Sequence, residues 1–384
     1  MEPQNTTAAG TVTLERVSTP PAQTWNRLRA NDVTLVVPAR ERTGSVRSSL
    51  PRLFDSVECG MGRAVTDWVA SQTDDSRYVE VPARTVREEP VVVRTDASAG
   101  DVRDTGVMVR EGASCTIVVA AGAGEKRASD NASDSAADAA LPTSASLLRV
   151  VAEAGAHVRI VEVLGVAEGQ QHLESVGISA QRDARVEVCQ YVLGGSATAL
   201  GLACDLAGDR ARIDLSCRYH ADHDHLVDVN HVVRQRGRGT RAEVRESGIL
   251  DDEARKTLRA TIDLVHGAKG AKGNEAESVL VLGDGVVNKT VPVILCDEDD
   301  VAGNHGATIG SVSPEQISYL ENRGLSRDQA ESLFVRALFE DAIMHAADAS
   351  ARAVACAACE RVLGAEAAGD LAEAGLVADG EALA

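Results

Sequence analysis

Aromatic residues are scarce in this chain. Three Phe, four Tyr and two Trp make up 2% of 384 residues, so the core cannot be organised around packed rings. It has to be built from Val, Leu, Ile and Ala within an apolar share of 44%, which suits flat, regularly stacked layers. Positive charge is also short. Lys and Arg number 39 against 58 Asp and Glu, a formal net charge of −19. Nucleic-acid phosphates are neutralised by a Lys/Arg surface, and anionic lipid surfaces make the same demand, so neither nucleic acid nor membrane is an expected partner. No apolar run approaches the roughly 18–20 residues that cross a bilayer. The opening MEPQNTTAAG has neither the basic nor the apolar part of a secretion signal. The expected location is the cytoplasm, where the scattered Cys59, Cys115, Cys189, Cys204, Cys217, Cys296, Cys356 and Cys359 are expected as thiols.

What is present is a repeat. A small residue followed by alternating hydrophobics recurs in GAHVRIVEVL (155–164), DARVEVCQYVL (183–193), RARIDLSCRYH (210–220) and, more loosely, GTRAEVRESGIL (239–250). Aligned on Ala156, Ala184, Ala211 and Ala242, the spacings are 28, 27 and 31. GASCTIVVAAG (112–122) reads as an earlier copy. Period-two alternation marks strands, and no helical pattern of 10–15 residues separates them. Strand repeats of about 20–50 residues belong to solenoids, propellers or arrays. A β-helix fits best, because its coils stack equivalent positions and ladder branched aliphatics; a jelly roll or sandwich is the competitor. Residues 121–146 are low in complexity and reach Leu141 before any large hydrophobe. Such a stretch buries too little to offset chain entropy, so it is expected as a disordered insertion. The resulting division is a mixed or helical region at 1–80, a β core at 81–312, and a helical part with an acidic, Ala-rich tail at 313–384.

The last part begins with two capping boxes, Ser313-Pro314-Glu315-Gln316 and Ser326-Arg327-Asp328-Gln329. Gly324 lies between them and suits a left-handed cap. Ala330, Leu333, Phe334, Ala337, Leu338, Ala342 and Ile343 follow at helical spacing and predict the buried face of the second helix.

From about residue 205 to 345 the chain resembles the SufB/SufD family of iron–sulfur cluster assembly scaffolds. The most specific block is NHGATIGSVSPEQISYLENRGLS (304–326), similar to the family's His-Gly-Ala-Thr or His-Glu-Ala-Thr core followed by a Tyr-Leu and Arg-Gly-Leu hairpin. TWNRLRAND, near the N-terminus, is similar more weakly. The resemblance implies a right-handed parallel β-helix with a C-terminal helical domain, and a scaffold rather than an enzyme. It implies a SufB-like partner, a SufC-type ATPase docked on the hairpin region of Tyr319, Leu320, Arg323, Gly324 and Leu325, and a homodimer as an option for the isolated chain. No tightly bound cofactor is implied, only transient iron or a nascent cluster at the SufB–SufD interface. His305, at the position of the family histidine, is the implied iron contact. Glu277 stands where SufB-type chains carry a cysteine, and Gly306 where they carry Glu; both favour a SufD-like subunit. Gly303 occupies a position that is often cysteine in SufD. Carboxylate ligation by Glu277 is a further expectation.

Other residues admit two readings. His220, His223, His225 and His231 in YHADHDHLVDVNH, interleaved with Asp222 and Asp224, read as a metal site or as a solvated turn. Cys356 and Cys359 have redox or zinc spacing, but no further ligands follow; small residues on a helix face are the plainer reading. Among the strand cysteines, normally small hydrophobes, Cys217 is the candidate for sulfur relay. GAKGAKG (267–273) lacks the spacing of a phosphate loop, which leaves ATP hydrolysis to a partner. Two other functions compete: a purely structural stabiliser of SufB, and a β-helix polysaccharide lyase. The lyase is disfavoured by the charge and by the lack of aromatics.

Overall fold

The computed structural model describes residues 10–24, 26–39, 48–73, 75–122 and 140–382. The middle of the chain winds as a β-solenoid with two strands per coil. One sheet contains β3 (Arg77–Val81), β5 (Val102–Val109), β7 (Thr143–Ala152), β9 (Gln171–Ala180), β11 (Ala197–Leu206), β13 (Leu226–Gln235), β15 (Arg255–Leu264) and β17 (Val287–Cys296). The other contains β4 (Val86–Thr95), β6 (Ser114–Ala121), β8 (His157–Leu164), β10 (Arg185–Val192), β12 (Arg212–Ala221), β14 (Arg241–Leu250), β16 (Lys272–Val281) and β18 (Ala302–Gly310). Every neighbouring pair in both sheets is parallel.

Alternation places one set of side chains in the lumen, where they ladder. Val158, Val186 and Ile213 occupy one register, and Ile160, Val188, Leu215 and Val244 another. All are buried in one continuous core. Turns stack as well: the N–H groups of Gly155, Asp183, Arg210 and Gly239 donate to carbonyls of the next coil. Asp183 and Arg210 adopt left-handed φ values of 61° and 59°, a strain of about 1–2 kcal/mol each in turns held by these bonds.

The repeat read from sequence marks only one of the two sheets, and its fourth copy is misaligned. Ala242 stacks on Ile213 rather than on Ala211, a spacing of 29 instead of 31. The proposed insertion also overran. Thr143 to Ser146 begin β7 and are buried, because their small side chains sit between packed layers; residues 123–139 lie outside the described residues.

The N-terminal region packs on the outside of the first sheet. β1 (Thr11–Val17) and β2 (Val33–Pro38) pair antiparallel, and with α1 (Arg63–Gln72) they bury Leu14, Val37, Met61, Val65 and Trp68 against Leu147, Leu173 and Ala199. The strap at 57–61 touches the sheet backbone directly. Gly60 N–H donates to the Val176 carbonyl at 3.1 Å, and a Cβ at Gly60 would fall 2.0 Å from the Leu202 nitrogen.

Four helices follow the solenoid: α2 (Pro314–Glu321), α3 (Arg327–His345), α4 (Ala349–Leu363) and α5 (Ala365–Ala382). Both capping boxes form, and Gly324 has φ +95°. α3 and α4 lie along the flank of the second sheet, covering Val118, Ala120, Val161, Val163, Tyr191 and Leu193. This explains why Val118 and Ala120 of β6 and Val161 and Val163 of β8 are apolar although they face away from the lumen: they lie beneath helices. The expected buried face of α3 is partly corrected. Ala330, Leu338, Ala342 and Ile343 are buried, but Leu333, Phe334 and Ala337 are exposed, and Val335 and Phe339 are buried instead. Ala330 packs with α2, while the helix from Val335 onward packs with α4 and the sheet, so no single stripe serves its whole length. Among the described residues no helix is long and apolar enough to cross a membrane.

Candidate functional site

The solenoid ends on β18, where every residue is exposed. Its inner edge pairs with β16, and among the described residues no strand pairs with its outer edge. Its register sets His305 beside Glu275 and Ala307 beside Glu277. By strand parity His305 belongs to the luminal row, and it is open to solvent because no coil stacks above it. Gly303 lies in the same row. A Cβ there would come 3.0 Å from Ile294 Cγ2 and 3.3 Å from Leu264 Cδ1, whereas one at Gly306 would meet nothing within 4 Å.

Glu277 is not at that surface. Its side chain is wholly buried, and its carboxylate is already engaged. Lys256 Nζ and the Tyr219 hydroxyl donate to Oε1, the latter at 3.0 Å, and Thr290 Oγ1 donates to Oε2 at 2.6 Å. To bind iron, Glu277 would have to release these partners. The structure therefore does not bring His305 and Glu277 together; Glu275 is the acidic neighbour of His305.

Beneath the last coil, the lumen carries a polar column that the sequence reading missed. Glu162, Gln190, Cys217, Glu246 and Glu277 occupy one register on successive strands. Gln190 Nε2 donates to Glu162 at 2.6 Å, and His231 on β13 bridges Gln190 Oε1 at 2.9 Å and Glu246 Oε1 at 3.0 Å. Toward the N-terminal coils His172 contacts Ser144 at 2.8 Å and Glu174 at 3.1 Å. Removing these groups from water disfavours their charged forms. Burial pushes the Glu162 and Glu174 carboxyls well above the usual range. Burial, then nearby carboxylates, lifts Glu246 and Glu275 to about 8. Burial lowers His172 and His231 to about 3. Glu162, Glu174 and Glu246 therefore favour their protonated forms, and His172 and His231 their neutral ones, at neutral pH. Burial raises the Cys217 thiol well above its ordinary value, which leaves it protonated and a poor nucleophile. The available signal was an acid at an inward position of an otherwise aliphatic strand, as in RIVEVL around Glu162.

The helical hairpin presents the other expected residues. Tyr319 is exposed, the Arg323 guanidinium lies 5.0 Å from its ring centroid, Gly324 is exposed, and Leu320 and Leu325 are half-buried. Glu315, Gln316, Tyr319, Leu320 and Phe334 line an open groove of about 370 Å³. Elsewhere, the four histidines of residues 220–231 separate: His231 joins the luminal column, while His223 and His225 stand in the β12–β13 turn. Cys359 is buried among the α4 and sheet side chains and Cys356 packs beside them; burial raises both thiols.

Comparison with known proteins follows the same lines. The family described as SUF system FeS cluster assembly, SufBD core domain, matches residues 91–338. The chain is similar to the iron–sulfur cluster assembly protein SufD of Bacillus subtilis, at 25% identity over 159 residues, 41% of this chain and 36% of that protein. It is similar to SufBD family proteins of Methanocaldococcus jannaschii, at 28% identity over 35% of this chain and 42% of the relative, and of Mycobacterium leprae, at 26% identity over 58% of each. Each match thus spans less than two thirds of the relative's own length.

Proposed function

Because the chain belongs to the SufBD core family of the SUF iron–sulfur cluster system, we propose that it acts as a SufD-like scaffold subunit, non-enzymatic itself and working in the cytoplasm. The observation that carries this reading is the open edge of β18: an exposed strand with unpaired backbone groups is a template for another strand. A SufB-like subunit pairs there, and its interface receives transient iron or a nascent cluster. His305 contacts iron through a neutral imidazole nitrogen. Glu277 and Gly306, in place of the cysteine and the glutamate of SufB-type chains, support the SufD-like assignment. A SufC-type ATPase docks on the α2–α3 hairpin, where Tyr319, Leu320 and Phe334 form an apolar groove beside Arg323, Gly324 and Leu325. ATP hydrolysis by that partner moves the solenoids relative to each other. Without SufB, the same edge supports a homodimer.

Co-expression with the cognate SufB-like and SufC-type chains tests this. A stable complex by size-exclusion chromatography is expected, and His305→Ala is expected to keep the complex while lowering cluster maturation. No complex would sink the scaffold role; intact maturation would remove His305 from it. The alternative, a structural stabiliser without ligand contact, predicts no difference in iron binding between reconstituted wild-type and His305→Ala complexes.

A further inference from the structure

We propose that the turn between β12 and β13 is a mononuclear site for a divalent transition-metal ion, held by Asp222, His223 and His225. One ligand atom from each lies within 4.8 Å of the others. His225 Nδ1 is 3.0 Å and His223 Nδ1 3.2 Å from the same oxygen, Asp222 Oδ1. Bonds of about 2.1 Å place adjacent ligand atoms about 3.0–3.4 Å apart in octahedral or tetrahedral sites, and both imidazole–carboxylate separations already lie in that range.

A second observation points to a ligand. His225 is 8% exposed, yet its Nδ1 has no hydrogen-bond partner. It is close to Asp222 but off the line a hydrogen bond needs. A buried polar nitrogen left this way costs free energy, and a metal between imidazole and carboxylate removes the cost. His223 is exposed and leaves an entry path on the solvent side. Asp224, Asp251 and Asp252 add negative charge around the turn; the His223 N–H donates to Asp252 Oδ2 at 3.0 Å.

The ligands are also held in place. Glu253 N–H donates to the His223 carbonyl at 2.9 Å, Arg255 N–H to the His225 carbonyl at 2.8 Å, and Leu226 N–H to Ser196 on the other side. Two imidazoles and one carboxylate with open positions suit zinc or ferrous iron over magnesium or calcium, which prefer all-oxygen shells. The site lies away from β18 and is independent of the assembly role.

Titration of the EDTA-treated full chain with Co²⁺, followed by its visible absorption and by displacement with Zn²⁺, tests the site. One equivalent is expected to bind without a thiolate charge-transfer band. His223→Ala, which removes an exposed side chain and is checked for folding by its melting curve, is expected to weaken binding at least about tenfold; Asp222→Asn does the same, and His305→Ala has no effect. Absence of saturable binding, a thiolate band, or undiminished affinity in His223→Ala would overturn the proposal.

Discussion

Lys256 and Glu277 form an ion pair inside the solenoid with neither side chain exposed to solvent. Thr290 and Tyr219 complete the hydrogen bonding of this pair, and Lys256 Nζ lies 5.7 Å from the centre of the Tyr219 ring. Removing one member of such a pair strands a buried charge. Lys256→Met is therefore expected to destabilise the fold by about 3–5 kcal/mol, while the Lys256→Met/Glu277→Gln double variant recovers most of the loss. Urea denaturation of the three proteins measures this; an equally unstable double variant would contradict it.

The luminal carboxyls make stability depend on pH. Glu246 and Glu275 titrate at about 8 in the folded chain against about 4.3 unfolded. Their contribution is full below about pH 4.3 and is lost as pH rises through the folded value. His172 and His231, lowered to about 3, act in the opposite range: their contribution is present above about 6.5 and lost as pH falls toward 3. Between about pH 6.5 and 8.5 the glutamates act without the histidines. Unfolding free energy should fall across that window in the wild type, and fall less in Glu246→Gln/Glu275→Gln. Parallel curves would refute the raised values.

Backbone contact at the strap leaves no space for a side chain. Gly60→Ala puts its Cβ 2.0 Å from the Leu202 nitrogen, and Gly201→Ala puts one 2.4 Å from the Gly60 carbonyl carbon. Each is expected to cost at least the upper part of the usual overpacking range, about 3 kcal/mol, and to loosen residues 57–61 from β9 and β11. Hydrogen exchange at the Gly60 amide, bonded to Val176, reports the loosening.

The two glycines flanking His305 should respond differently. Gly306→Glu enters open space and should change stability by no more than about 0.5 kcal/mol. Gly303→Cys meets Ile294 and Leu264 side-chain ends at 3.0 and 3.3 Å, contacts that yield slightly, so a small loss of stability is expected. Thermal melts of the two variants separate these outcomes.

The hairpin groove predicts a binding defect without a folding defect. Tyr319 and Phe334 are 57% and 37% exposed, so Tyr319→Ala/Phe334→Ala removes little packed surface. Its melting temperature should stay close to that of the wild type while co-elution with a SufC-type ATPase is lost. Retained co-elution would move the docking surface elsewhere.

Several features of the fold are legible in the amino-acid sequence alone. Alternation at residues 155–220 shows strands, because side-chain direction in a strand is a local property of period two. Capping boxes at Ser313 and Ser326 show helix starts for the same reason: their bonds span three residues. The misplaced Ala242 and the overrun at Thr143 show where local pattern stops. A coil of variable length can be aligned only when the strand beside it is known, and short polar residues can be buried when neighbouring layers cover them. Leu333 and Phe334 looked like core on α3; exposure depends on what each helix segment packs against.

The amino-acid pattern by itself determined that this chain repeats strands at coil-like spacing, ends in capped helices and carries His305 in a family-like block, since all three are written in short-range spacing. Tertiary structure alone decided that Glu277 lies inside the lumen with Lys256, that Glu275 is the residue beside His305, and that His231 leaves the other histidines to join a buried column. Those relationships join residues on different strands, and only the register of one coil on the next sets which side chains meet.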